Sequence, residues 1–133
     1  MKQRKEINVS DVMREEVTEV DGSIDVMEAM RTMKRVRGTS LIVKKRDERD
    51  EYGMVLFSDI AKQVIAKDRA PERVNVYEIM SKPVISVRPE MSIQSCARLF
   101  ERFGISHAPV IDDETVIGIV SYYLLVLGSI DLD

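Results

Sequence analysis

Two segments of the chain combine residue types that can hold a polar ligand. The first runs from Gly53 to Ile60 and includes Asp59, and the second runs from Gly118 to Leu125 and includes Ser121. In each, a glycine lets a ligand approach the backbone closely. A carboxylate or hydroxyl at the start of the following helix can bind a sugar hydroxyl, and the free amides of that helix end can bind an anion. Both segments are therefore candidate binding sites.

The sequence offers no set of residues for catalysis or for a metal centre. His107 is the only histidine, so a zinc site with two or three imidazoles is excluded. The chain has no Ser-His-Asp pattern and no glycine-rich phosphate loop. Asp112 to Glu114 are adjacent carboxylates, but such a cluster at a hairpin tip is usually solvated. We therefore predict no catalytic residues, no bound metal and no enzymatic activity.

The composition limits the environment and the partners. A chain of 133 residues with 44% hydrophobic and 32% charged residues suits one compact module spanning residues 1–133. The formal net charge of −3 gives no reason to expect nucleic acid binding. The chain starts with charged residues and has no apolar run near the ~20 residues of a membrane span, which indicates a cytoplasmic protein. Cys96 is alone, so we predict a buried core thiol and no internal disulfide.

Most of the sequence repeats once. Val12-Met13 recurs as Ile79-Met80, 67 positions later. The same shift relates the apolar positions of two amphipathic helices, namely Val26, Ala29 and Met33 in the first and Ile93, Cys96 and Phe100 in the second. Two copies are too few for a solenoid. We expect two halves that cover each other's apolar faces about a pseudo-twofold axis, with ligand crevices between them.

Each repeat is predicted to fold as strand, helix, strand, strand, helix. In the first repeat, Ser23 is the predicted cap of the first helix and Ser58 that of the second. The charged segment 44–51 is predicted to be a solvated hairpin tip. In the second repeat, Val84 to Val87 is a predicted strand and Ser92 is the predicted cap of the next helix.

With these segments duplicated in order, together with Gly104 to Ile111, the chain resembles the CBS domain family, named for the regulatory region of cystathionine β-synthase. The resemblance runs from about Ser10 to Leu127. It implies an α/β (α+β) fold of two β-α-β-β-α repeats packed sheet-to-sheet about a pseudo-twofold axis, with repeat one at about 10–67 and repeat two at about 77–130. Modules of this family commonly form homodimers, here through the terminal helices.

The resemblance also implies an adenosyl ligand. Such modules bind AMP, ADP, ATP, S-adenosylmethionine or sometimes NAD as effectors, and no cofactor is required. In the family motif Gly-h-x-Thr/Ser-x-x-Asp, where h is apolar, the hydroxyl and carboxylate hold ribose or phosphate. This chain divides the motif, because repeat one has Asp59 but Leu56 at the hydroxyl position, and repeat two has Ser121 but Leu124 at the carboxylate position. A buried sugar facing Leu124 loses a charge-assisted bond worth roughly 1.5–3 kcal/mol.

The cleft containing Asp59 is therefore the predicted ribose site. By resemblance, Thr39 lies near the phosphate of its ligand, and Met80 and Ile85 lie along the adenine. A simpler interpretation of Asp59 is a carboxylate at a helix start, where the helix dipole favours negative charge.

In the opposite cleft, the resemblance places Ser121 and His107, with Met13 and Thr18 lining the base. Family members often have a basic residue at the position of His107, directed at phosphate. The simpler interpretations are a surface or satisfied strand histidine for His107 and a helix N-cap for Ser121.

Two functions remain open at this stage. The first is a non-catalytic sensor that binds an adenosyl ligand in the cleft between its repeats. The alternative is a protein–protein interaction module whose nucleotide sites have decayed, and whose functional surface includes Leu124 to Leu127. The sequence names no protein partner in either case.

Overall fold

The computed structural model describes residues 6–130, which form a mixed α+β fold. In chain order the elements are α1 (Val9–Val12), β1 (Glu19–Val20), α2 (Val26–Val36), β2 (Ser40–Val43), β3 (Gly53–Leu56), α3 (Phe57–Ile60), α4 (Ile93–Phe103), β4 (His107–Asp112), β5 (Thr115–Ser121) and α5 (Tyr122–Ile130). A π-helical segment, Ala61–Ile65, continues α3, and 3-10 turns lie at Pro71–Arg73 and Val76–Glu78. None of the helices described is long and apolar enough to cross a bilayer.

The chain divides into two compact units. The central unit is residues 18–84, and the terminal unit is formed by the described residues before 18 and after 84. The unit boundary does not follow the repeat boundary, because the central unit includes both the segment before repeat two and the first residues of that repeat. There, the amide of Val26 donates to the carbonyl of Val74, and the amide of Val76 donates to the carbonyl of Ile24.

In the central unit, a three-stranded sheet and α2 enclose one core. The strand order is β1-β2-β3, with β1 parallel and β3 antiparallel to β2. The predicted apolar face of α2 is confirmed, since Val26, Ala29 and Met33 are buried. The core consists of Val20, Val26, Ala29, Met33, Leu41, Val43, Val55, Ile60, Val64, Val74, Val76 and Ile79.

Both caps predicted for the central unit are wrong. Asp25, not Ser23, caps α2, since its Oδ1 accepts the amide hydrogen bond of Glu28 at 2.9 Å. Ser23 is occupied by a local turn, in which its hydroxyl donates to Asp21 at 2.7 Å. Ser58 lies inside α3, because β3 runs directly into the helix and leaves no loop residue to act as a cap.

The spacing of Ile60, Ala61, Val64 and Ile65 predicts one apolar side for the helix after β3, and this prediction is only half right. Ile60 and Val64 are buried, whereas Ala61 and Ile65 are exposed. From Ala61 the hydrogen bonds become π-helical, with the amide of Ala66 donating to the carbonyl of Ala61 at 2.8 Å.

The terminal unit contains the hairpin β4-β5 and a second core. The two strands pair in antiparallel fashion, and the predicted Ser92 cap of α4 is confirmed by a 3.1 Å bond from the amide of Ser95. Cys96 and Phe100 of α4 are fully buried. The core consists of Ile7, Val9, Val87, Ile93, Cys96, Phe100, Ala108, Val110, Val120 and Leu125.

The predicted strand at Val84 to Val87 is wrong, because only Val87 pairs, in a bridge to Val110. In the central unit, the equivalent strand β1 is held by the amide of Ile42, which donates to the carbonyl of Thr18 at 2.9 Å. The position equivalent to Ile42 is Pro109, which has no amide hydrogen to donate. Two ladder bonds remain, one from the amide of Val87 to the carbonyl of Pro109 at 3.0 Å and one from the amide of Ile111 to the carbonyl of Val87 at 2.9 Å.

Candidate functional site

The strand-to-helix junction of the central unit places Asp59 at the start of α3. The Oδ2 atom of Asp59 accepts the amide hydrogen bond of Leu56 at 2.8 Å, and this leaves Oδ1 for a second partner. The amide of Phe57 donates to the carbonyl of Thr39 at 2.9 Å, which fixes the exposed Thr39 next to the junction. The backbone of Thr39 is therefore bonded to the junction that contains Asp59, and Asp59 also serves as the helix-start carboxylate of its simpler interpretation.

The junction of the terminal unit has the hydroxyl of Ser121 but, at the position of Asp59, has Leu124 in place of a carboxylate. The Oγ atom of Ser121 accepts the amide hydrogen bond of Leu124 at 3.3 Å, so the N-cap interpretation of Ser121 is present in the structure. A hydroxyl at the N-cap and a carboxylate three residues later are the two members of a capping box. The divided motif is thus a divided capping box, with the carboxylate in the central unit and the hydroxyl in the terminal unit.

His107 and Ser121 lie opposite each other in the β4-β5 hairpin, as cross-strand partners. His107 is half-buried, and its Nδ1 lies 2.8 Å from the hydroxyl oxygen of the preceding Ser106. The carbonyl of Ser106 in turn accepts the amide hydrogen bond of Tyr122, at 3.2 Å. The imidazole and the hydroxyl that the sequence grouped together are therefore neighbours in the terminal unit.

In each unit, a methionine side chain packs directly against the glycine that precedes the junction, where a larger residue would clash with it. A Cβ atom on Gly53 would lie 2.8 Å from Sδ of Met80, and one on Gly118 would lie 2.6 Å from Sδ of Met13. The thioether of Met80 thus lies over the start of β3, and that of Met13 lies over the middle of β5. Met80 shares a unit with Asp59, and Met13 shares a unit with Ser121.

Thr18 and Ile85 are placed differently from the other predicted site residues. Ile85 belongs to the terminal unit, whereas Asp59 belongs to the central unit; Thr18 belongs to the central unit, whereas Ser121 belongs to the terminal unit. Ile85 is 37% exposed, and Thr18 is half-buried.

An ion cluster of Arg46, Asp50 and Lys82 was not predicted from the sequence. Asp50 is in the loop predicted to be solvated, yet its side chain is only 7% exposed and forms ion pairs with Lys82 and Arg46. Both charged residues are visible in the sequence next to duplicated positions, Lys82 two positions after Met80 and Asp50 three positions before Gly53. Nothing in the pattern indicated that these two charges meet.

Cys96 lies in the core of the terminal unit. Burial raises the pKa of the Cys96 thiol to about 11, so the predicted core thiol is confirmed. Among residues 6–130, no group of three or more His, Cys, Asp or Glu side chains is arranged to hold a metal ion.

The duplicated fold and the paired junctions define a tandem CBS domain protein. The sequence profile of the CBS domain family matches the chain at residues 9–66 and 76–126. The chain therefore belongs to the CBS domain family, and the predicted family and α+β fold class are confirmed.

Among solved structures, the hexameric CBS-CP12 protein from bloom-forming cyanobacteria is 37% identical, with a TM-score of 0.91 over 93% of this chain and 72% of that one. The CBS domain pair of protein MJ0100, in complex with 5′-methylthioadenosine and S-adenosyl-L-methionine, is 25% identical, with a TM-score of 0.79 over 92% of this chain and 95% of that one. A homoserine O-acetyltransferase of Methanohalobium evestigatum is 36% identical over 114 residues, which are 85% of this chain. The chain spans only 22% of the length of that enzyme.

Proposed function

We propose that the chain is a cytoplasmic, non-catalytic regulatory module that binds an adenosyl ligand as an effector and requires no cofactor. The candidate ligands are AMP, ADP, ATP and S-adenosylmethionine. The observation that carries the proposal is the β3-α3 junction, where Asp59 offers a carboxylate oxygen beside the exposed Thr39. The MJ0100 domain pair supports it, since that protein was solved with two adenosyl compounds.

The central unit provides the preferred ribose site. In this proposal, Asp59 accepts hydrogen bonds from the ribose hydroxyls, Thr39 lies near the phosphate, and Met80 contacts the adenine, with Ile85 as a further base-lining residue. Because Asp59 is fixed by its bond to the amide of Leu56, the ligand does not have to order it.

The terminal unit provides a weaker site of different character. Ser121 and His107 offer a hydroxyl and an imidazole for phosphate, with Met13 and Thr18 as base-lining residues, but Leu124 cannot accept a bond from a sugar. We expect its affinity for nucleosides to be lower than that of the Asp59 site.

Titration calorimetry of the purified chain with AMP, ATP and S-adenosylmethionine tests the proposal. Asp59→Asn should weaken binding by at least tenfold, since a charge-assisted bond of roughly 1.5–3 kcal/mol is lost. The amide oxygen of asparagine can still accept from Leu56, so the fold should persist.

Asp11→Asn is the matched control for this experiment. Its carboxylate accepts the amide hydrogen bond of Asn8 at 2.8 Å, the same local geometry at the start of α1. The control should bind as the wild type does. A wild-type chain that binds none of the three ligands, or an Asp59→Asn variant that binds them unchanged, would refute the proposal.

A specific observation also favours the alternative, an interaction module that associates with itself. Phe57, Ala61 and Ile65 in the central unit are exposed, and so are the residues 65 positions later, Tyr122, Val126 and Ile130. Val126 is 62% exposed and Ile130 73%. Exposed apolar stripes of this kind mark interaction surfaces. We expect a homodimer through the terminal helices, and the cyanobacterial relative is described as hexameric.

Light scattering after gel filtration at micromolar concentration tests self-association. The wild-type mass should be at least about twice the 15.2 kDa of one chain. Val126→Glu should give a monomer, and Gln94→Glu, which adds the same charge at an exposed position of α4, should not. A monomeric wild type would remove this alternative and leave the ligand-binding proposal intact.

A further inference from the structure

The segment from Met80 to Lys82 is attached to the edge of β3 in the central unit. Two backbone hydrogen bonds form the attachment, one from Met54 to the carbonyl of Ser81 at 3.0 Å and one from Ser81 to the carbonyl of Met54 at 2.8 Å. One residue earlier, the thioether of Met80 occupies the space over Gly53. The position of this segment on β3 therefore determines where Met80 lies.

Asp50 ties the same segment to the loop before β3. Its Oδ1 lies 2.6 Å from Nζ of Lys82, and its Oδ2 accepts bonds from the amide and Nε of Arg46 at 2.8 and 3.1 Å. The bond from Lys82 and then those from Arg46 hold the pKa of the Asp50 carboxyl well below its usual range. The group is thus a carboxylate at neutral pH, with cationic partners on both oxygens.

The terminal unit contains the same attachment without the ion cluster. Arg14 and Ile119 exchange the same two backbone bonds, both at 2.9 Å, and Met13 lies over Gly118. The positions equivalent to Lys82 and Asp50 are Glu15 and Thr115, which cannot form an ion pair. The attachment therefore forms without such a pair. The ion cluster is an addition in the unit that carries Asp59.

We infer that Asp50, through Lys82, is a positioning residue that fixes Met80 at the adenosyl site of the central unit. The inference rests on the proposed function. A side chain that is already held in its bound position does not have to be ordered by the ligand, so the cluster raises affinity without touching the ligand.

The position of Met80 is measured first in the ligand-free chain, from methyl NMR signals of ¹³C-methyl-methionine. Met80→Leu assigns its signal. Asp50→Asn and Lys82→Gln should each shift or broaden the Met80 signal and leave that of Met13 unchanged. Glu15→Gln, at the position equivalent to Lys82 in the terminal unit, should leave both signals unchanged. A Met80 signal that is insensitive to both cluster variants would overturn the inference, whether or not a ligand binds.

Binding of AMP and S-adenosylmethionine is measured next with the same variants. If the cluster keeps Met80 in place and its loss leaves about one molecule in five correctly arranged, the apparent Kd rises about fivefold. Asp50→Asn and Lys82→Gln should show this loss, and Lys82→Arg should retain the affinity of the wild type. If Asp59→Asn abolishes binding but neither cluster variant weakens it, the inference fails and the proposed function stands. If Asp59→Asn has no effect while the Met80 signal responds, the proposed function fails and the positioning of Met80 by Asp50 stands.

Discussion

The two long amphipathic helices end in the same left-handed backbone conformation, α2 at an arginine and α4 at a glycine. Exchanging the two residue types should therefore change the stability in opposite directions. Arg37 ends α2 with φ 55° and ψ 39°, and Gly104 ends α4 with φ 65° and ψ 33°. Both lie in the left-handed region, and each amide bonds the carbonyl four residues before it, Met33 and Phe100 respectively. The perturbation is therefore an exchange of residue types, Arg37→Gly and Gly104→Arg.

The expected magnitude follows from conformational cost. A residue with a Cβ pays roughly 1–2 kcal/mol in this conformation. Glycine pays roughly 0.5–1 kcal/mol of additional backbone entropy on folding. A Cβ on Gly104 would meet no atom within 4 Å, so no steric term complicates the comparison. Arg37→Gly should thus raise the free energy of unfolding by about 0.5–1 kcal/mol, and Gly104→Arg should lower it by a similar amount.

Thermal and urea unfolding followed by circular dichroism measure the effect. For a chain of 133 residues, 1 kcal/mol corresponds to about 3–5 °C in Tm. The double variant should return close to the wild-type Tm, because each substitution acts at its own helix end. A lower Tm for Arg37→Gly would show that the arginine side chain stabilises the helix end by more than its backbone costs, and would refute the reasoning.

Three further predictions concern other parts of the described chain. Glu114→Gly should raise the free energy of unfolding by about 0.5 kcal/mol in urea denaturation, since this hairpin-turn residue has φ 65°. The Cys96 thiol, with a pKa of about 11, should react with a thiol reagent at pH 8 only as fast as the protein opens, so labelling much faster than unfolding would contradict its burial. Gly118→Ala should lower the Tm and move the Met13 methyl signal, because its Cβ would lie 2.6 Å from that thioether and 3.0 Å from the carbonyl oxygen of Arg14.

Local patterns determined much of the fold. The three- and four-residue spacing of apolar side chains located α2 and α4, since periodicity alone decides which face of a helix can be buried. Ser92 was predicted as a cap and is one. The divided motif was also visible in the sequence, and with it the contrast between Asp59 and Ser121. These features depend only on residues within one or two helical turns of each other.

Two predictions failed because other groups compete for the same hydrogen bonds, in one case within a few residues and in the other from a distant segment. Ser23 and Asp25 both precede α2, and Asp25 became the cap because the hydroxyl of Ser23 bonds Asp21. The missing strand in the terminal unit depends on Pro109, whose lack of an amide hydrogen matters only because the Val87 segment pairs along that edge of β4. A prediction made from the Val84 to Val87 segment by itself could not include its partner.

The sequence by itself determined that the chain is duplicated, which faces of its two long helices are buried, and which repeat carries the carboxylate. The tertiary structure alone decided that Asp50 is buried in an ion pair with Lys82, and that Met80 and Met13 pack against Gly53 and Gly118. The physical reason is that periodicity and capping act over a few residues. An ion pair or a close packing contact forms between segments that only the folded backbone brings together.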